Sequence, residues 1–148
     1  MNKMIWAKDE DDLTLQPLTE EMIRYAEKEL DVTLPEAYIN MLKEKNGGYM
    51  EPASYPTKVP TSWADDHIQI DYMKGIGEAE GILESFYLIE EWDLPDRVVL
   101  LSGDGHTWIA LDYRNTDQEP PVIYIDTEDE QIFQLAPNFA AFVDGLKW

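Results

Sequence analysis

The chain has 2 histidines, and each stands beside carboxylates, in Asp65-Asp66-His67 and Asp104-Gly105-His106. Imidazole nitrogen with nearby carboxylate oxygen is a metal donor set. His67, His106 and their neighbours could therefore hold a metal ion and activate water for hydrolysis. The spacing argues otherwise: no H-E-x-x-H or comparable ligand pattern occurs. Aspartates in loops also commonly bond nearby backbone amides. Nucleophilic chemistry has less to work with. Cysteine is absent, and Ser102 before Gly103 lacks the G-x-S-x-G turn that exposes a catalytic serine. The stretch Leu101 to His106 is not followed by G-K-[ST], so it is no phosphate cradle. Carboxylates are so abundant that choosing an acid–base pair among them would be arbitrary. No catalytic residue and no cofactor is assigned.

The tryptophans offer a different chemistry. Trp63 lies close to Asp65 and Asp66, and Trp92 sits among Glu90, Glu91 and Asp93, both in stretches expected at the surface. An aromatic anchor ringed by carboxylates suits recognition of a basic protein surface. The same rings would serve equally well to close the edge of a core. Asp and Glu total 31 against 11 Lys and Arg, a formal net charge of −20. Such a field repels a phosphate backbone and excludes nucleic acid as a partner. It attracts a basic protein and speeds their encounter in a salt-dependent way. A purely solvating surface would carry the same charge.

These residues need elements to position them. With 148 residues and 44% apolar content, the chain is long enough for one domain with a real core. Residues 1–17 read as a polar lead-in, with Ile5 and Trp6 as anchors and Leu13 and Leu15 alternating as in a short strand. No apolar run approaches membrane-spanning length, and the first residues lack a signal-peptide core. A cytoplasmic protein without membrane attachment is expected, and the missing cysteines agree with a reducing compartment.

Thr19 caps a first helix, with Leu18 stapled onto Ile23, and Ile23, Ala26 and Leu30 on one face. Pro35 suits the first turn of a second helix, where Tyr38, Met41, Leu42 and Lys45 share a side. Asn46-Gly47-Gly48 stops it, giving an αα-hairpin. Residues 49–66 hold three prolines, Pro52, Pro56 and Pro60, which predicts an irregular excursion with no central strand. Residues 67–73 alternate as a half-exposed strand. Residues 82–92 form a short helix with Ile82, Phe86 and Ile89 on its inner side, ended near Pro95.

The stretch Val98 to Arg114 organises the rest. Val98 to Leu101 and Trp108 to Leu111 are nearly unbroken apolar runs, as expected of mid-sheet strands covered on both faces. The glycines between them supply backbone angles that other residues resist. Val122 to Ile125 and Ile132 to Leu135 complete an antiparallel meander. Pro137 starts a last helix whose Phe139, Phe142, Val143 and Leu146 face the core. The expected class is α+β: a single domain with a largely antiparallel sheet flanked by helices.

The order of these landmarks resembles the SUKH superfamily, immunity proteins related to the fungal Smi/Knr cell-wall regulators. The resemblance rests on the first helix leading to Leu34-Pro35, the helix ending in Asn46-Gly47-Gly48, and Trp63. It continues through the Ser102-Gly103-Asp104-Gly105 turn, Trp108 with Ala110-Leu111-Asp112-Tyr113, and the closing helix with Phe139. It spans about residues 18–146. It implies an α+β fold and a non-enzymatic role: binding and neutralising a cognate polymorphic toxin, often a nuclease. The family supplies no catalytic set to carry over. The acidic turn Asp126 to Glu130 and the 49–66 loop are not family signatures, and partner specificity is expected there.

The expectation is thus a cytoplasmic immunity protein whose acidic surface occludes the basic groove of a nuclease-like toxin. Trp63 and Trp92 are its expected anchors, with Asp65, Asp66, Glu90, Glu91, Asp93 and Asp104 steering by charge. The alternatives are a metal-assisted hydrolase using His67 and His106, and a regulatory scaffold with an endogenous partner. The sequence leaves the oligomeric state open.

Overall fold

The computed structural model describes residues 18–61, 64–77, 81–103, 107–128 and 130–147. The lead-in 1–17, with its expected strand and anchors, lies outside them, as do Trp63, Asp104 and His106.

The helices are α1 (Glu20–Leu30), α2 (Glu36–Glu44), α3 (Ser85–Trp92) and α4 (Phe139–Gly145). The strands are β1 (Gly48–Pro56), β2 (His67–Met73), β3 (Val98–Gly103), β4 (Thr107–Asp112), β5 (Val122–Asp126) and β6 (Gln131–Ala136). Strands β1 and β2 form an antiparallel two-stranded sheet, and β3-β4-β5-β6 a four-stranded antiparallel meander. The meander and the α+β class are as the sequence predicts.

The unbroken apolar runs have a clear origin. Along β3–β5, Val99, Leu101, Ile109, Leu111, Val122 and Tyr124 join the larger core with residues of α1, α2, α4 and β2. Val98, Leu100, Trp108, Ala110, Ile123 and Ile125 point the other way, into a smaller core covered by Leu88 and Ile89 of α3 and by Leu94. With side chains alternating across the pleat, a sheet covered on both faces must be apolar at every position.

Helix α1 begins as expected: the Thr19 hydroxyl accepts from the Met22 amide, and Ile23, Ala26 and Leu30 are buried. Prolines sit slightly earlier than predicted. Pro35 occupies the cap position of α2, outside the first turn. Pro137 precedes Asn138, whose side chain caps α4 by accepting from the Ala141 amide at 2.8 Å. Helix α2 ends at Glu44 with Lys45 extended. Gly47 (φ 87°) and Gly48 (φ 127°) come after that end and turn the chain into β1.

Four further expectations are corrected. Residues 48–56 form a strand, where an irregular excursion was predicted. The register of β1 on β2 shifts between Tyr49 and Ala53, so Pro52 falls at a bulge and Pro56 at the strand end. In a two-stranded sheet every strand is an edge, which is where proline is tolerated. Second, β3 is an edge of the meander, not mid-sheet. Its outer backbone is satisfied locally: the Leu100 amide donates to Ser85 Oγ at 3.0 Å, and Leu101 O accepts from the Lys74 amide at 2.6 Å. Third, Phe86 does not face the core. The helix opens with a 3-10 turn, Ile82–Glu84, whose three-residue period shifts the helical phase. Ser85 turns inward and Phe86 is left 58% exposed. Fourth, Gly103 adopts no left-handed angle. It ends β3 opposite Trp108, and a Cβ there would lie 2.1 Å from the indole Cε3. Glycine is required for space.

Candidate functional site

Helix α3 rides on the smaller core through Leu88 and Ile89 and turns an unusually aromatic face outward. Phe86 is 58%, Tyr87 64% and Trp92 41% exposed. Trp92 is only partly covered: its ring lies 6.3 Å from that of buried Trp108 at an interplanar angle of 54°. The ring thus helps to close the edge of the smaller core while part of it stays in solvent. Glu90 and Glu91 precede it and Asp93 follows, all exposed. Asp93 closes the helix in the left-handed conformation (φ 54°), and the Leu94 amide returns to Ile89 O at 2.9 Å before Pro95. No basic residue occupies the last turn of α3, so these carboxylates lie against the negative end of the helix dipole. That arrangement disfavours the isolated helix and strengthens the local negative potential.

Two depressions border this face. One, lined by Trp92, Asp93, Leu94, Pro95, Ile125, Asp126, Thr127, Glu130 and Ile132, connects α3 with the β5–β6 turn. The acidic turn singled out in the sequence thus borders the α3 face. The other is a groove of about 620 Å³ between the end of α1 and α3.

Asp65 and Asp66 lie elsewhere. They are exposed at the foot of the loop joining β1 to β2, which is closed by the Thr57 amide donating to Asp66 O at 2.8 Å. Thr61 Oγ1 donates to Ala64 O and His67 O at 3.1 Å each, and Gln131 Nε2 reaches Pro60 O at 3.3 Å. Ile68 and Ile70 of β2 belong to the larger core, whereas α3 covers the smaller one. The meander therefore stands between Asp65 and Asp66 on one side and Glu90, Glu91 and Asp93 on the other. The predicted set is split, and only its α3 half is joined to exposed aromatic side chains. Phe86, Tyr87 and Ile132 extend that half; helical periodicity assigns Phe86 to the core, Ile132 reads only as part of a strand, and nothing in the sequence singles out Tyr87.

His67 Nδ1 lies 2.9 Å from Asp66 Oδ1. Among the described residues no three His, Cys, Asp or Glu side chains gather as metal donors. A third depression, of about 170 Å³, lies between β2 and the β3–β4 end, lined by Gln69, Asp71, Tyr72 and Trp108 among others. Among the described residues no helix is long and apolar enough to cross a membrane.

Asp112, at the end of β4, is paired with Arg114. Arg114 Nε and Nη2 donate to the Asp112 carboxylate at 2.9 and 3.0 Å, and the Arg114 amide adds a third bond at 3.0 Å. Burial alone would raise the Asp112 carboxyl, but these bonds outweigh it and hold it below its ordinary value. Tyr113, buried and facing the charges of Glu27 and Glu119, is pushed up, and its hydroxyl donates to Thr33 O at 2.7 Å. This region joins the meander to the α1–α2 link.

No curated protein matches the chain. A family described as SMI1-KNR4 cell-wall, SUKH_6, does match, over residues 20–143. That span runs from the first residue of α1 into α4, so the fold and the sequence pattern agree, and the chain belongs to the SMI1-KNR4 (SUKH) family.

Proposed function

We propose that this protein is a cytoplasmic immunity protein that binds a cognate polymorphic toxin and neutralises it without chemistry of its own. The toxin is expected to carry a basic, nuclease-like domain, and the immunity protein to occlude its substrate groove. The observation that carries this reading is the α3 face, where Phe86, Tyr87 and Trp92 stand exposed among Glu90, Glu91 and Asp93. Interface hot spots are typically aromatic residues surrounded by a rim that sets orientation and encounter rate. A net charge of −20 opposes phosphate binding but complements a groove built to hold phosphate. Asp65 and Asp66, on the other side of the meander, then contribute to long-range steering more than to contact.

The test is co-expression with the toxin-like product of the neighbouring gene. The pair is expected to copurify at low salt, with toxin activity titrated out at one equivalent. Association should slow steeply as ionic strength rises. Replacing Glu90, Glu91 and Asp93 by their amides should slow association more than Asp65→Asn with Asp66→Asn. A toxin that remains separate at low salt, or stays active in saturating protein, overturns the proposal.

A further inference from the structure

We infer that the groove between α1 and α3 is a docking site for an arginine-bearing amphipathic segment of the partner; this rests on the toxin-binding reading. Its lining includes the apolar Leu30, Val32, Phe86, Ile89, Leu94 and Val98. Among the described residues along it are the carboxylates Glu29, Asp31, Glu90, Asp93 and Asp96, with Arg97 as the cation. Arg97 is already engaged: its Nε donates to Tyr113 O at 3.1 Å, and its Nη1 lies 3.9 Å from Asp31 Oδ2. The groove therefore keeps an excess of negative charge.

The backbone adds to it. The C-terminal ends of α1 and α3 both border the groove, each closed by an aspartate in the left-handed conformation, Asp31 (φ 56°) and Asp93 (φ 54°). Helix C-termini carry partial negative charge, so two dipole ends and the carboxylates act in the same sense. An apolar floor beneath an acidic rim selects a side chain that is apolar along its stem and cationic at its tip. Arginine fits better than lysine. Its guanidinium is more weakly hydrated, bonds carboxylates through paired N–H groups, and stacks on an aromatic face such as that of exposed Phe86. The volume of about 620 Å³ admits several side chains, which favours an amphipathic segment over one residue.

The probe is a synthetic sixteen-residue amphipathic peptide of leucine and arginine. Two matched peptides carry lysine or the neutral isostere citrulline in place of arginine. Each is titrated into isotope-labelled protein and followed by backbone amide shifts. The arginine peptide should shift residues 29–32 and 85–99, the lysine peptide should bind several-fold more weakly, and the citrulline peptide should not bind. Glu90→Gln with Asp93→Asn should weaken the arginine peptide about tenfold, while Asp65→Asn with Asp66→Asn should change it less than twofold. If the first pair loses its fold, Glu29→Gln with Asp96→Asn removes equal charge from the same groove. Equal weakening by groove and loop variants, shifts spread over every acidic surface, or binding of the citrulline peptide would each overturn the groove. A toxin that binds wild type and the Glu29→Gln, Asp96→Asn variant alike also overturns it while leaving the immunity role intact. Seating of the arginine peptide with no toxin association supports the groove and removes the immunity role.

Discussion

Replacing Asn46 with alanine should be among the most damaging single changes to this fold. Asn46 is 3% exposed, and its side chain brackets the backbone of Ile76, which is 1% exposed. Nδ2 donates to Ile76 O at 3.0 Å, and the Ile76 amide donates to Oδ1 at 2.8 Å. The pair stitches the end of α2 to the segment that delivers α3. Next to it a Cβ on Gly47 would lie 2.4 Å from the Gly75 nitrogen, so the two backbones are in contact beside the Asn46–Ile76 pair. Alanine leaves a buried donor and a buried acceptor without these partners, at about 1–3 kcal/mol each. The expected cost is about 3 kcal/mol, or about 6–12 °C in Tm at about 2–4 °C per kcal/mol for a chain of this size. Asn46→Asp keeps the acceptor, loses the donor, and sets a carboxylate against the Ile76 carbonyl. Its folded-state pKa must then rise above the unfolded value of about 4. The penalty should be largest at neutral pH and shrink as pH falls toward about 4, where the protonated carboxyl can donate again. Urea midpoints at pH 7 and pH 4, with unchanged m-values, provide the assay. An alanine variant costing less than about 1 kcal/mol, or an aspartate variant equally damaged at both pH values, would refute this account.

Ser85→Ala should leave the Leu100 amide without its 3.0 Å acceptor at a sheet edge buried under α3. A loss of about 1–3 kcal/mol and faster hydrogen exchange at Leu100 are expected. Gly103→Ala should force the Trp108 indole to move, because the new Cβ would lie 2.1 Å from its Cε3. The cost should be about 1–3 kcal/mol, with a changed near-ultraviolet circular dichroism spectrum from the Trp92–Trp108 pair. Arg114→Gln should remove the two guanidinium bonds that help hold the Asp112 carboxyl below its ordinary value, while the backbone amide bond at position 114 remains. A depressed carboxyl stabilises the fold fully above its unfolded pKa, and that contribution is lost as pH falls through the folded value. The stability gap between wild type and Arg114→Gln should therefore stay level above the ordinary carboxylate range and narrow as pH falls below it, as read from urea midpoints.

What could be read from the chain alone was whatever depends on neighbours in sequence. The Thr19 cap and the inward face Ile23, Ala26 and Leu30 follow from local hydrogen bonding and the helical period. The meander follows from apolar runs parted by turns, and the doubly covered sheet from the lack of alternation along β3–β5. The ordered landmarks pointed to the right family. Tertiary contacts decided the rest. A bulge and an edge position, which depend on the partner strand, let a proline-bearing stretch become β1. A single 3-10 turn rotated α3 so that Ser85 serves the sheet edge and Phe86 faces solvent, and no residue count in the sequence marks that turn. Gly103 was needed for the indole packed beside it across the strand pair, a demand visible only once β4 is in place. The acidic residues were plain from composition. That the sheet separates Asp65 and Asp66 from Glu90, Glu91 and Asp93, and that two helix ends converge on one groove, arises from packing between segments distant in the chain.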